Sequence, residues 1–132
     1  MVVVIDTSAL LAVLVSEPER DAIVRATVGA DLVAPGSVHW EVGNALSAML
    51  KRHRATPPQI QRALAAYAAI PMRLVDVDLA LALEIAGEHG LYAYDAYLIT
   101  CALGQRAPLL SLDRGLVHAA KNAGVQMMEI SR

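Results

Sequence analysis

Val2-Val3-Val4-Ile5-Asp6-Thr7-Ser8 is the stretch that decides the fold. Its β-branched run reads as a short strand buried on both faces, and the polar Asp-Thr-Ser behind it turns the chain into a helix. Asp6 is thereby expected at the carboxyl end of a parallel strand. Working outward, Ala9 to Val15 has helical spacing, Glu17-Pro18-Glu19 opens a second helix to about Val28, and Gly29 ends it. A brief strand at Leu32 to Ala34 leads to Pro35-Gly36-Ser37, a turn and N-cap for a helix from about Val38 to Arg54.

Thr56-Pro57-Pro58-Gln59 has the residues of a capping box with proline at the first helical position, so a helix through Tyr67 follows. Pro71 stops it, and Met72 to Val75 is the next strand. Asp78 caps a helix ending at His89-Gly90, and a further helix from near Tyr94-Asp95 to Leu103 is apolar on nearly every side, as a central element should be. Leu109 to Asp113 is expected as a strand ending on an acid, followed by a helix from about Gly115 to Asn122 and a last strand near Gln126 to Ile130. Strands alternating with helices make an α/β domain with a mostly parallel sheet.

The 132 residues suit one domain, 1–132, with no repeat or linker. A hydrophobic content of 56% against 18% charged residues excludes a disordered chain and leaves apolar surface for a partner. The single cysteine, Cys101, lies in an apolar stretch and is expected to be a buried, inert thiol. The apolar start lacks a basic region and is broken by Asp6, and no uncharged run is long enough for a bilayer, so no membrane association and a cytoplasmic location are expected.

A net charge of −2 is unfavourable for binding nucleic acid. If four of the 13 acids are neutralised by bound cations, however, nine remain against 11 Lys and Arg, and the balance becomes +2. Lys51, Arg52 and Arg54 form the densest positive run, able to face phosphates or simply to complement a helix end.

Four acids stand in apolar surroundings. Asp6 and Asp113 fall at strand ends, where open parallel sheets carry their functional groups. Asp95 lies in Tyr92-Ala93-Tyr94-Asp95-Ala96-Tyr97-Leu98-Ile99, and Glu41 among Val38, Trp40, Val42 and Leu46. A carboxylate there is costly unless paired or metal-bound. Taken singly, each is better explained as a cap, a turn residue or a helix-dipole partner. As a set at matching ends of separate elements they point to a shared cation. Oxygen ligands without Cys or His partners favour Mg2+, or Mn2+, over zinc. Such an ion can activate water against a phosphodiester, so no nucleophilic side chain is required.

Val4-Ile5-Asp6-Thr7-Ser8-Ala9-Leu10, Glu41-Val42-Gly43-Asn44-Ala45-Leu46, Tyr94-Asp95-Ala96-Tyr97-Leu98 and Leu110-Ser111-Leu112-Asp113 resemble, in order, the four acidic segments of PIN-domain nucleases, in wording close to the VapC toxins of toxin-antitoxin modules. The resemblance covers almost the whole chain. It implies a PIN-like three-layer domain, its short sheet flanked by helices. It implies Asp6, Glu41, Asp95 and Asp113 as catalytic metal-site acids, with Thr7, Ser8 and Ser111 in support. Asn44, one turn after Glu41, is a further candidate on the same face. The activity implied is endoribonuclease cleavage of RNA to a 5′-phosphate and a 3′-hydroxyl, in a homodimer inhibited by a cognate VapB-like antitoxin. Arg114, directly after the last acid, either binds phosphate or pairs with Asp113.

Two other classes compete. A phosphatase using Asp6 as nucleophile wants a second Asp two residues on, where this chain has Ser8. A PIN-like module that binds RNA or protein without cutting would have no need of an intact quartet. His39, His53, His89 and His118 show no ligand spacing, and no Gly-x-Ser-x-Gly turn is present. Of the aromatics, Tyr94 and Tyr97 flank an acid and are the two candidates for base stacking.

Overall fold

The computed structural model describes residues 1–130. Strand β1 (Val2–Ile5) lies inside the sheet, parallel to β2 (Asp31–Pro35) on one side and to β4 (Leu109–Leu110) on the other. Strand β3 (Met72–Val75) lies parallel to β2, and the order is β3-β2-β1-β4. Val3, Val4, Ile5, Val33, Leu109 and Leu110 are at most 2% exposed, as the unbroken apolar runs require of strands covered on both faces. The chain leaves β1 toward β2 but returns on its other side as β4. The crevice between those carboxyl ends is where ligands of open α/β sheets bind.

The helices are α1 (Thr7–Leu14), α2 (Arg20–Ala26), α3 (Ser37–Lys51), α4 (Pro57–Ala69), α5 (Leu79–His89), α6 (Ala93–Gln105) and α7 (Arg114–Asn122). Helix α1 packs on α2, α3 and α4, while α6 packs on α5 and on β1, β2 and β4. The nearly all-apolar α6 is therefore central, with Ala96, Leu98, Ile99, Cys101 and Ala102 buried. Burial pushes the Cys101 thiol up to about 11, consistent with an inert packing residue. The capping box at Thr56 and Gln59 forms, Asp78 caps α5, and Gly90 closes that helix in the left-handed region at φ +64°. Among the described residues no helix is long and apolar enough to cross a membrane.

Several boundaries differ from expectation, each for a local reason. Helix α1 starts at Thr7 because the Asp6 side chain caps it, accepting from Ala9 N at 3.0 Å. Glu17-Pro18-Glu19 forms a turn before α2, with Arg20 N donating to Glu17 O. Ser37 does not cap α3 but is its first residue, with Gly36 at the cap. Strand β4 stops at Leu110 instead of reaching Asp113. The Leu112 and Asp113 amides donate to Ser8 Oγ and Ser111 Oγ at 2.9 and 3.0 Å, so side chains have taken the groups a longer ladder would need. The expected last strand shrinks to one parallel bridge between Leu109 and Met127, in which Leu109 N donates to Gln126 O and Met128 N to Leu109 O.

Candidate active site

The end of β1 delivers Asp6 into the crevice between β1 and β4, only 3% exposed. Ser8 Oγ donates to its two oxygens at 2.7 and 2.9 Å, and Ser111 Oγ, from the loop after β4, donates at 2.6 Å. The same Ser8 and Ser111 oxygens accept the Leu112 and Asp113 amides, so the hydroxyls tie the start of α1 to the loop before α7. Burial raises the affinity of Asp6 for a proton, the bonds from Ser111, Ala9 and Ser8 oppose that rise, and the charge of Asp113 adds to it.

Glu41 is half-buried in the second turn of α3 and is likewise raised, first by burial. The Ser37 and Thr7 hydroxyls oppose the rise, while the charges of Asp6 and Asp95 add to it. Glu41 Oε2, Thr7 Oγ1 and Ser37 Oγ are nevertheless all buried without a completed hydrogen bond. Ser37 lies one turn before Glu41 on the same helix face, and this i, i+4 spacing is the signal that would have singled it out. Asp95 does not cap α6. It stands in the first helical turn, raised by burial and then by the charge of Asp113. Asp113, expected at a strand end, is instead the exposed N-cap of α7, accepting from Gly115 N at 2.9 Å and Leu116 N at 3.2 Å.

The four acids thus form a closed circuit of repulsion: Asp6 with Asp113, Asp113 with Asp95, Asp95 with Glu41, and Glu41 with Asp6. Among the described residues the ion pairs are Arg20–Asp21 and Arg73–Asp31, and neither involves the quartet. Arg114 forms no ion pair with Asp113. No three His, Cys, Asp or Glu side chains among the described residues stand in a ready cage for an ion. The donor set still fits a divalent cation of the magnesium type: its ligands are carboxylate oxygens, one oxygen is orphaned, and burial followed by mutual repulsion pushes Asp6, Glu41 and Asp95 toward protonation, a cost that a bound cation relieves.

The remaining candidates divide. Thr7, Ser8 and Ser111 touch or face the acids, whereas Asn44 is exposed one turn beyond Glu41. Lys51, Arg52 and Arg54 do not face the quartet. Helix α3 starts at the carboxyl edge and carries Lys51 roughly 15 Å beyond Glu41, ten residues at 1.5 Å each. Arg54 instead lines a cavity of about 360 Å³ with Arg62, Leu14, Met49 and Ile60, touched by none of the four acids. Tyr94 and Tyr97 meet edge to face at 6.0 Å, with Tyr94 58% exposed beside Asp95.

The fold has known counterparts. A protein of Pyrobaculum aerophilum, PAE2754, superposes with a TM-score of 0.73 at 24% identity over 97% of this chain and 92% of its own. A chain of the Rickettsia felis VapBC2 complex bound to promoter DNA gives 0.68 at 13% identity over 99% and 100%. The sarcin-ricin loop cleaving toxin VapC20 of Mycobacterium tuberculosis gives 0.64 at 14% over 89% and 94%. At these identities the likeness is one of fold, and no curated protein matches by sequence. The sequence signature of the PIN domain, by contrast, matches residues 3–122, a span that takes in all four acids, and on that match the chain belongs to the PIN domain family.

Proposed function

We propose that this chain is a divalent-cation-dependent endoribonuclease and the toxin of a toxin-antitoxin pair, with Asp6, Glu41, Asp95 and Asp113 as its active-site acids. The observation that carries the reading is the circuit of repelling carboxylates gathered from four separate elements, none of them ion-paired among the described residues. A protein that needed these acids only for structure would pair them, since unpaired buried charge is costly. Support for the toxin assignment comes from the fold shared with VapC20 and with a Klebsiella pneumoniae toxin-antitoxin complex, the latter at 17% identity and a TM-score of 0.54.

Bound Mg2+ or Mn2+ would supply the positive charge that these acids lack and would acidify water at the site. The chain's own residues hold the acids for that purpose. Ser8 and Ser111 donate to Asp6, opposing the protonation that burial favours and holding its carboxylate in place. Asp113 is fixed by the amides of α7, and Thr7 and Ser37 face Glu41. In the overall reaction a water oxygen bonds to phosphorus and the bond to the 3′ oxygen breaks. That oxygen takes a proton to become the 3′-hydroxyl, and the phosphate stays on the 5′ side.

The partners that fit are an RNA substrate, a VapB-like antitoxin and a second copy of the chain. Trp40 at 76% exposed and Leu79 and Leu83 at 58% and 52% are apolar surface of the kind such partners cover. The experiment is incubation of total RNA with partner-free protein, with and without Mg2+ or Mn2+, beside Asp6→Asn and Asp95→Asn. Metal-dependent cuts bearing 5′-phosphates, absent from both variants, are expected. RNA retained but uncut by folded wild type would favour a non-cleaving module.

A further inference from the structure

A second cleft, of about 430 Å³, opens between α7 and the C-terminal segment that bridges β4. It begins at Ser111, whose hydroxyl bonds Asp6, and it runs away from the quartet past Arg114, His118 and Lys121. Those three positions follow i, i+4, i+7 spacing and form one stripe on α7, roughly 10 Å from end to end. The opposite face of α7 buries Leu116, Ala119 and Ala120, which fixes the stripe outward. Met127, Met128 and Ile130 supply an apolar wall, and Glu129 is the one acid among the described residues of the lining.

A cleft with cations on one side and an apolar wall on the other matches the two chemistries of a nucleotide strand, charged phosphates and flat bases. Methionines give that wall an adaptable, sequence-tolerant surface. Arg114 is free to take this role because it forms no ion pair with Asp113, whose Oδ1 accepts from the Gly115 and Leu116 amides. Asn122 Nδ2 lies 3.2 Å from His118 Nε2, one turn along the same helix. Lys51, Arg52 and Arg54, the densest basic run in the sequence, lie at the far end of α3 and line no part of this cleft.

We infer that this cleft is the track for single-stranded RNA flanking the scissile phosphate, with Arg114 and Lys121 neutralising backbone phosphates and Met127, Met128 and Ile130 underlying the bases. The inference rests on the ribonuclease reading for its choice of ligand. A duplex presents its bases stacked and paired, whereas this wall calls for splayed ones.

The test measures binding without cleavage. Anisotropy of a 5′-fluorescein-labelled, mixed-sequence 12-nucleotide RNA is followed in EDTA from 50 to 200 mM salt for wild type, Arg114→Gln, Lys121→Gln, the double variant and Arg25→Gln on α2. Each cleft substitution should make the negative slope of log affinity against log salt shallower by about 0.7, the value for one single-strand phosphate contact, and the double variant by about 1.4. Arg25→Gln should keep the wild-type slope. Wild-type slopes in Arg114→Gln and Lys121→Gln, with unchanged thermal melts, would overturn the inference, as would be seen if the cleft took an acidic peptide instead. Cleavage in Mg2+ is scored separately. Failure of wild type to cut RNA defeats the nuclease reading, while the slopes still decide whether RNA lies in this cleft.

Discussion

Asp6 and Asp31 sit at opposite ends of neighbouring parallel strands, and their surroundings could hardly differ more. Asp31, where β2 begins, is held by Arg73 of β3 through Nε at 3.3 Å and Nη2 at 2.8 Å, and this two-pronged contact keeps its carboxyl below the usual range. Asp6, where β1 ends, has two serines, one amide and, among the described residues, no ion-pair partner, and burial pushes it above that range. The fold can therefore neutralise an aspartate at a strand terminus. At the carboxyl edge it does not, for any of the four acids. Functional sites commonly carry such unrelieved electrostatic cost.

The largest effect should come from chemistry. Asp6→Asn or Asp95→Asn should reduce metal-dependent RNA cleavage by at least about 100-fold while the protein stays folded, on the scale of losing an electrostatic group that acts in the transition state. Gel analysis of a defined RNA reads this out. If Asp31→Asn lost activity to the same degree, the contrast between the two edges would have no functional meaning.

Next comes the core that holds the edge in place. Leu110→Ala, at the last residue of β4 and fully buried, should cost about 2–5 kcal/mol by urea denaturation. Because Asp6 N donates to Leu110 O, this variant should also loosen the crevice and slow cleavage.

The third test exploits the repulsion. In EDTA at pH 7, Asp95→Asn should raise the melting temperature, by no more than a few degrees because Asp95 is only partly buried and solvent screens the repulsion. Asp95 serves because it caps nothing. A fall would mean that Asp95 has a structural partner after all.

The pH profile separates the two edges by sign. Asp6, Glu41 and Asp95 bind protons more tightly when folded, so metal-free stability should fall as pH rises from their ordinary range, near 4, through their raised values. Asp31 acts oppositely: its contribution is present above its ordinary value and is lost as pH drops through its lowered one. Melting curves in EDTA across pH 3 to 8 should show the first effect in wild type and a reduced one in Asp95→Asn. The smallest change is expected from Arg73→Gln, an exposed pair that should barely move the melting temperature.

Much of this arrangement is legible in the sequence because apolar runs, caps and turn residues act locally. Val2 to Ile5 could only be a buried strand, and Thr56 to Gln59 only a helix start. The acids stood out for the same reason, as charges in apolar words. What was not legible depends on contacts between distant segments. Strand β4 ends early because Ser8, more than a hundred residues upstream, captures the Leu112 amide. The serine clamp on Asp6 needs two loops to meet, and the direction of α3 decides that Lys51 and Arg54 lie away from the acids. Capping and membership of the acidic quartet are also not exclusive: Asp6 and Asp113 are helix caps and two of the four acids together.

The central claim is that the carboxyl edge is left anionic to receive a divalent cation. Calorimetric titration of Mn2+ into metal-free protein at pH 7 tests it most directly, with wild type and Asp95→Asn compared at equal ionic strength. The account predicts saturable binding by wild type, strongly weakened in the variant, with a parallel rise in wild-type melting temperature. No saturable binding, or binding of equal strength in Asp95→Asn, would contradict it.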